Sequence, residues 1–125
     1  MSAQGAIDLL SQHSVAETAD RLESLLNAKG IKIFARIDQA KEARDVGLSM
    51  AETQLLIFGD PKTGTPAMVK SPSLALDLPL KALIWQAGDG KVWLTYNSPE
   101  YLRTRHDLDS APFKAVESIL EAATK

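Results

Sequence analysis

Residues 14–37 read SVAETADRLESLLNAKGIKIFARI, and this stretch decides the fold class because a helix pattern passes directly into a strand pattern. Ser14 and Glu17 form a capping box, which is typical of a helix N-terminus. Apolar residues then recur at helical spacing until Gly30 ends the helix: Val15, Ala19, Leu22, Leu25 and Leu26. The next seven residues alternate with a period of two and predict a half-buried strand whose apolar face carries Ile31, Ile33, Ala35 and Ile37. The stretch therefore predicts an α+β fold.

The flanking segments extend this mixed pattern in both directions. Apolar or alternating strand patterns also occupy residues 6–12, 53–58, 80–86 and 91–96. The last two flank a tight-turn signal and predict an antiparallel hairpin. Shorter helices are predicted where caps and helical spacing coincide: residues 38–46, 65–70, 73–76, 99–105 and 112–123. The predicted order is a strand, a helix, four strands with short helical insertions and a last helix, with the helices packed on an antiparallel sheet.

Length and composition limit the function classes. The chain has 125 residues, which is enough to bury a core as a single domain over residues 1–125. Fourteen Lys and Arg residues stand against sixteen Asp and Glu residues, and this net charge of −2 argues against nucleic acid as a partner. The absence of cysteine removes disulfides, thiolate metal sites and cysteine nucleophiles from the candidate chemistries.

Targeting and membrane signals are missing from the sequence. Residues 1–8 (MSAQGAID) carry no basic n-region, and Asp8 interrupts the apolar run that a cleaved secretion signal needs. Apolar runs such as residues 55–58 and 82–85 are far shorter than the roughly 20 residues that cross a bilayer. We therefore predict a cytoplasmic location and no membrane partner.

Several segments, taken together, point to a known family. They are Ile37-Asp38, residues 56–66 (LIFGDPKTGTP), residues 76–81 (LDLPLK), Tyr96-Asn97, Tyr101-Leu102 and Arg105-His106. In this order and spacing the whole chain resembles the bacterial domain of unknown function 302 family. The resemblance implies a single-copy TATA-binding-protein-like fold and a homodimer, and it implies no established activity. Gln39 and Asp60 depart from the histidine and asparagine that are common in the family at these positions.

The loop of residues 59–65 (GDPKTGT) has the glycine spacing of a phosphate-binding loop. If Thr65 opens the next helix, backbone N–H groups and the helix dipole would face an anion there. The predicted ligand-binding residues of this loop are Lys62, Thr63, Gly64 and Thr65. The loop lacks the Lys-Ser/Thr pair of a Walker A motif, which argues against nucleotide hydrolysis. The alternative is that glycine and proline only shape a strand-to-helix turn.

Two more polar groupings are candidates for the same site. Asp77 and Lys81 are charges within an apolar segment, and they form either a polar site or a structural ion pair. Tyr96 and Asn97 end a strand shortly before Arg105 and His106. Arginine binds carboxylates and phosphates, and histidine titrates near neutral pH, so the second grouping contains the best acid–base candidate. The alternative is that the histidine only stabilises the end of a helix.

Metal and serine-triad chemistry lack a sequence signal. Asp38 with His106 is the only loose ligand set, so we predict no metal. No Gly-x-Ser-x-Gly elbow is present, although triads are defined by geometry and not by sequence. Trp85 and Trp93 lie on neighbouring hairpin strands, and we expect them to pack in the core, with a pocket or a dimer surface as the alternative.

These observations predict a homodimeric domain that binds a small anionic or polar ligand between residues 59–65, 77–81 and 96–106. Two alternatives stay open. The same site belongs to an enzyme with His106 or Asp38 as the acid or base, or the chain is a dimeric interaction module without a ligand. The sequence leaves any cofactor unknown.

Overall fold

Five strands form one antiparallel sheet in the computed structural model, which describes residues 3–125. The strands are β1 (Ala6–Ser11), β2 (Lys32–Asp38), β3 (Thr53–Gly59), β4 (Leu80–Gln86) and β5 (Val92–Asn97). Their order across the sheet is β1-β5-β4-β3-β2, so the first strand pairs with the last and β4 lies at the centre. The predicted α+β class, the element order and the hairpin of β4 and β5 are confirmed.

The helices are α1 (Val15–Ala28), α2 (Gln39–Asp45), α3 (Pro61–Lys70), α4 (Pro99–Arg105) and α5 (Val116–Thr124), and a 3-10 helix covers Pro72–Leu76. The Ser14 side chain accepts a hydrogen bond from the Glu17 N–H, which confirms Ser14 as the N-cap of α1 and one half of the predicted capping box. Asp38 caps α2 in the same way, through the Lys41 N–H. Within residues 3–125, none of these helices combines the length and apolar character that crossing a membrane requires.

The hydrophobic core lies between one face of the sheet and the helices α1 and α5. Leu22 and Leu26 of α1 and Leu120 of α5 are buried against strand residues that alternate toward the same face. Those strand residues are Leu56, Phe58, Ala82, Ile84, Leu94 and Tyr96. This packing fixes the helices on one side of the sheet and leaves the other side open.

A β-bulge in β2 contradicts the predicted single apolar face of that strand. Ile33 pairs with Phe58 and Ala35 pairs with Ile57, so Phe34 is the extra residue between two registered pairs. Because the alternation shifts at Phe34, Ile33 faces the core whereas Ala35 and Ile37 face the open side. Arg36 consequently points toward α1, where it donates to Asp20 Oδ1 over 2.8 Å.

The open face of the sheet is also apolar. Trp85 pairs directly with Trp93 across β4 and β5, and both side chains are only partly buried. Their strand neighbours Ile84 and Leu94 belong to the core, so alternation places both tryptophans on the opposite face. The prediction that they pack in the core is therefore wrong, because Val92, Leu94 and Tyr96 occupy the inward positions of β5.

The last helix begins later than predicted. The sequence pattern placed its start at Pro112, whereas α5 begins at Val116. Phe113 adopts a φ of 62°, a left-handed conformation that is incompatible with a continuing α-helix. Its side chain consequently leaves the apolar stripe of the helix and projects to one end of the sheet.

Candidate functional site

The start of α3 excludes the predicted anion cradle. The helix begins at Pro61, not at Thr65, because Asp60 and Pro61 provide an N-cap and a first-turn proline. The Asp60 carboxylate accepts a hydrogen bond from the Lys62 N–H, and the Asp60 carbonyl accepts from the Gly64 N–H. The N–H groups that a phosphate would need are therefore bonded to Asp60, whose own negative charge already faces the positive end of the helix.

A cavity of about 410 Å³ opens at this end of the sheet, between the end of β3, α3, the segment before β4 and Phe113. Its apolar lining consists of Ile31, Phe34, Phe58, Pro61, Met68, Leu78, Pro79, Leu80, Phe113, Ala115 and Val116, together with Gly59 and Gly64. The polar residues of the lining are Asp60, Thr63 and Thr65. A volume of this size matches a small organic ligand.

The structure brings only part of the predicted site to this cavity. Thr63, Gly64 and Thr65 line it, whereas the exposed Lys62 does not. A second set of predicted residues lies around a separate space of about 20 Å³: Asp77, Lys81, Tyr96 and Asn97. That space is about the size of one water molecule. The predicted convergence of residues 59–65, 77–81 and 96–106 on one pocket is therefore wrong.

Asp77 connects two elements that are distant in sequence. Its two carboxylate oxygens accept hydrogen bonds from Arg105 over 3.1 and 3.2 Å, and Oδ2 lies 2.5 Å from His106 Nε2. The other ring nitrogen of His106, Nδ1, lies 2.7 Å from the hydroxyl of Ser73. The histidine side chain is 3% exposed and that of Asp77 is 12% exposed. The contact between His106 and Asp77 is thus shielded from water.

Lys81 lies near Asp77 in the sequence but is not its partner in the structure. It is paired in register with Ile57, which places it on the open face of the sheet, and its ammonium donates to the Pro79 carbonyl. The structural ion pair between Asp77 and Lys81, one of the two alternatives considered from the sequence, does not form because the strand that begins at Leu80 turns the lysine away from the helices.

Tyr96 has a structural role. Its hydroxyl donates to Glu117 Oε2 over 2.6 Å, which links β5 to α5. Burial, and then the neighbouring Glu117 carboxylate, raise the pKa of the Tyr96 phenol well above its usual range. The phenol therefore stays protonated at neutral pH and serves as a hydrogen-bond donor.

Asp38 lies far from His106. It is the last residue of β2 and pairs with Gln54, at the opposite end of the sheet from Leu80, which follows the Asp77 cluster. Asp38 and His106, the only loose metal-ligand set that the sequence offered, are therefore not brought together. Among residues 3–125, no group of three or more metal-binding side chains converges.

Sequence reasoning missed both the apolar lining and Ser73. Phe34, Met68 and Phe113 come from three separate segments, so no local pattern marks them as neighbours. Only Phe34 carried a weak sequence signal, since it is a large aromatic at a position where the alternation of β2 predicts a polar residue. In the structure its exposure is 46%. Ser73 gave no signal because its partner His106 is 33 residues away.

Comparisons with known proteins agree with this architecture. The crystal structure of an uncharacterized conserved protein DUF302 from Bacillus stearothermophilus matches with a TM-score of 0.73 at 17% identity, over 98% of this chain and 94% of that chain. This likeness shows a shared fold.

Two curated relatives carry the name of a membrane protein. Fluoride-specific ion channel FluC 1 of Brucella suis is 40% identical over 93% of this chain and 46% of its own length. The protein of the same name from Brucella abortus is 40% identical over 93% of this chain and 43% of its own length. The chain thus spans less than half of the curated relatives that it matches. The model of the family Domain of unknown function DUF302 matches residues 7–125, and the chain belongs to this family.

Proposed function

We propose that this chain binds a small, mainly apolar molecule in the cavity between β3, α3 and residues 78–80. The observation that carries the proposal is the lining, in which three aromatic rings and a methionine surround a space of about 410 Å³. Ligand sites are typically concave and apolar with a few polar groups, and this cavity has that composition. Met68 adds an adaptable wall because its side chain is flexible.

The polar lining defines the expected ligand chemistry. Thr63 and Thr65 supply hydroxyls that donate and accept hydrogen bonds, whereas Asp60 supplies a negative charge. An anionic group would be repelled by that carboxylate. We therefore replace the anionic ligand predicted from the sequence with one that has an apolar body and an uncharged hydroxyl or amide end.

A matched pair of ligands tests this choice. We expect 1-octanol to raise the melting temperature in a saturable way, because a ligand that prefers the folded state stabilises it by about 2.7 kcal/mol at a hundredfold excess over its Kd. Octyl sulfate, with the same chain and an anionic end, is expected to bind more weakly. Sodium fluoride, included because of the relatives' name, is expected to give no shift. Stronger binding of octyl sulfate would contradict the proposed ligand chemistry.

Gly64 allows the cavity to be filled without breaking the helix. A Cβ built on Gly64 would lie 3.6 Å from Leu78 Cδ1, an ordinary contact, and the residue is buried within α3. Gly64→Leu is therefore expected to place a branched chain in the cavity and to weaken octanol binding at least about tenfold, the equivalent of 1.4 kcal/mol. Calorimetric titration of the folded variant measures this loss.

Gly64→Ala is the control for the filled variant. It should bind octanol within about threefold of the parent chain and should be more stable by about 0.5–1 kcal/mol, because alanine is a better helix former than glycine. Equal octanol affinity in folded Gly64→Leu would contradict binding in this cavity.

Self-association through the open sheet face is a second candidate function. The direct pairing of Trp85 with Trp93, flanked by Leu10 at 43% exposure, favours it because an apolar face of this kind marks an interaction surface. A second copy of the chain is the proposed occupant. This face also carries charges of both signs, Asp8, which accepts a hydrogen bond from the Thr95 hydroxyl over 2.6 Å, and Lys81 on another strand.

Sedimentation measurements test the dimer. Leu83 lies on the open face, where it pairs with Thr95 next to the Trp85–Trp93 pair. Leu83→Glu is expected to convert a dimer to a monomer across the micromolar range, since a charge buried without a partner is costly. Val69→Glu is the control, because Val69 is 77% exposed on α3 and does not belong to the sheet. A monomeric parent chain, or a dimer that resists Leu83→Glu, would contradict this candidate.

A further inference from the structure

Ser73, His106 and Asp77 form a continuous series of hydrogen bonds that no sequence motif predicts. The serine hydroxyl lies 2.7 Å from His106 Nδ1, and Asp77 Oδ2 lies 2.5 Å from His106 Nε2. Nucleophile, base and orienting carboxylate therefore occur in the Ser–His–Asp order of a catalytic triad, with each pair within hydrogen-bond distance and with Nδ1 in place of Nε2 facing the serine. We propose that this cluster is an acyl-transfer site with Ser73 as its nucleophile.

The exposure of the three residues follows the order that such a reaction needs. Ser73 lies on the surface, at the second position of the 3-10 helix, and is open to a substrate. The His106 side chain is 3% exposed and that of Asp77 is 12% exposed. Water is thus kept from the base and from the carboxylate, whereas the nucleophile is accessible. A bond whose only purpose was to hold the 3-10 helix against α4 would not require an exposed hydroxyl at its outer end.

The three hydrogen-bonded residues can transfer the protons that ester hydrolysis requires. With the imidazole proton on Nε2 and donated to Asp77, Nδ1 is free to accept the Ser73 proton as Oγ attacks the carbonyl carbon of an ester. The Oγ–carbon bond forms, the carbon–alkoxide bond breaks, and the proton on Nδ1 passes to the leaving alkoxide to give an alcohol. Water then attacks the acyl-serine carbon and gives a proton to Nδ1, the Oγ–carbon bond breaks to release the carboxylic acid, and the proton on Nδ1 returns to Ser73 Oγ.

Arg105 indicates the class of ester. Its guanidinium donates to both oxygens of Asp77 through one nitrogen, and its side chain is 42% exposed beside the histidine. An arginine with this exposure offers further N–H donors to a carboxylate on a bound molecule. The site therefore fits a small ester whose acyl group carries a carboxylate, such as a half-ester of a dicarboxylic acid.

Covalent labelling tests the nucleophile directly. Diisopropyl fluorophosphate is expected to modify the native chain at Ser73, as located by peptide mass spectrometry. After subtraction of the rate without protein, which intramolecular attack by the carboxylate makes fast, mono-nitrophenyl succinate is expected to be hydrolysed faster than the uncharged nitrophenyl butyrate. Ser73→Ala should abolish labelling and should reduce kcat/KM for the succinate ester at least about 100-fold, within the usual contribution of a positioned base and its nucleophile. Ser118→Ala, which changes an exposed serine on α5, should leave both readouts unchanged.

The same experiment contains the contrary results. A folded chain that takes no label at Ser73, or that hydrolyses the succinate ester equally well as Ser73→Ala, would overturn the proposal. His106→Gln adds a readout that a structural hydroxyl would not move. It removes the base and leaves Ser73 in place, and slow labelling of Ser73 in that folded variant is expected. Undiminished labelling would show that the histidine does not activate the serine. Octanol binding is measured separately, so either proposal can fail without the other.

Discussion

Replacing Gly5 by alanine is expected to lower the free energy of unfolding by about 2–4 kcal/mol, the sum of left-handed backbone strain and an overpacked contact. Gly5 has a φ of 76°, and an added Cβ would lie 2.8 Å from Tyr101 Cβ and closer still to Cγ. Those atoms are next to the α4 backbone, so the ring cannot move away without moving the helix. The Gly5 carbonyl also accepts the Ser98 N–H that introduces α4.

Gly30→Ala is the matched control for this prediction. Gly30 has a φ of 71°, and nothing lies within 4 Å of an added Cβ, so the variant carries the backbone strain without the collision. Its expected cost is about 1–2 kcal/mol. Urea unfolding of both variants separates the two contributions. A Gly5→Ala cost no larger than that of Gly30→Ala would show that Tyr101 does not pack against this position.

Asp77→Ala is expected to cost about 2–3 kcal/mol, because it removes a charged acceptor from a buried donor. His106 would lose the partner of Nε2 while its side chain stays 3% exposed. The 3-10 helix would keep only the Ser73–His106 hydrogen bond as a link to the end of α4, since Asp77 follows that turn and holds both Arg105 and His106. Thermal and urea unfolding measure the loss.

Arg105→Ala separates the buried contact from the exposed one. The arginine side chain is 42% exposed, so its loss is expected to cost less than about 1 kcal/mol, as for other solvated ion pairs. Asp77→Asn should recover part of the stability because the amide oxygen still accepts from His106. A cost for Arg105→Ala equal to that of Asp77→Ala would contradict the assignment of the energy to the histidine contact.

The parts of the fold that sequence could predict are those set by local chemistry. Ser14 and Glu17 start α1, Asp38 starts α2, and the turn at residues 87–90 separates β4 from β5, as their patterns indicate. Each of these depends on contacts between residues a few positions apart. The predicted start of α3 is wrong because residues 60–66 contain two capping signals. The helix begins at the first of them, with Asp60 as the N-cap and Pro61 in the first turn.

The errors in the rest of the fold have long-range causes. The bulge at Phe34 depends on how β2 aligns with β3, and no period within residues 31–37 reveals it. Trp85 and Trp93 face away from the core because α1 and α5 cover the other side of the sheet, a choice that alternation alone leaves open. Asp77 pairs with residues 28 and 29 positions later, in preference to the nearer Lys81.

The sequence predicts several residues of the candidate site but not the apolar character of its lining. Thr63, Gly64 and Thr65 do line a cavity, and Arg105 and His106 do lie together. The apolar lining could not be predicted because Leu78, Pro79 and Phe113 have the same sequence pattern as ordinary core residues. Their shared position at one end of the sheet emerges only when α3 and the segment before α5 are placed in three dimensions.

A nitrogen–proton correlation spectrum recorded during a titration with 1-octanol tests the central proposal most directly. Binding in the cavity predicts saturable shifts of the backbone amides of Gly59, Gly64, Leu78 and Phe113, which line it. The side-chain N–H signals of Trp85 and Trp93, on the open face, should stay in place. Shifts centred on the two tryptophans, or none that saturate, would contradict a ligand site in this cavity.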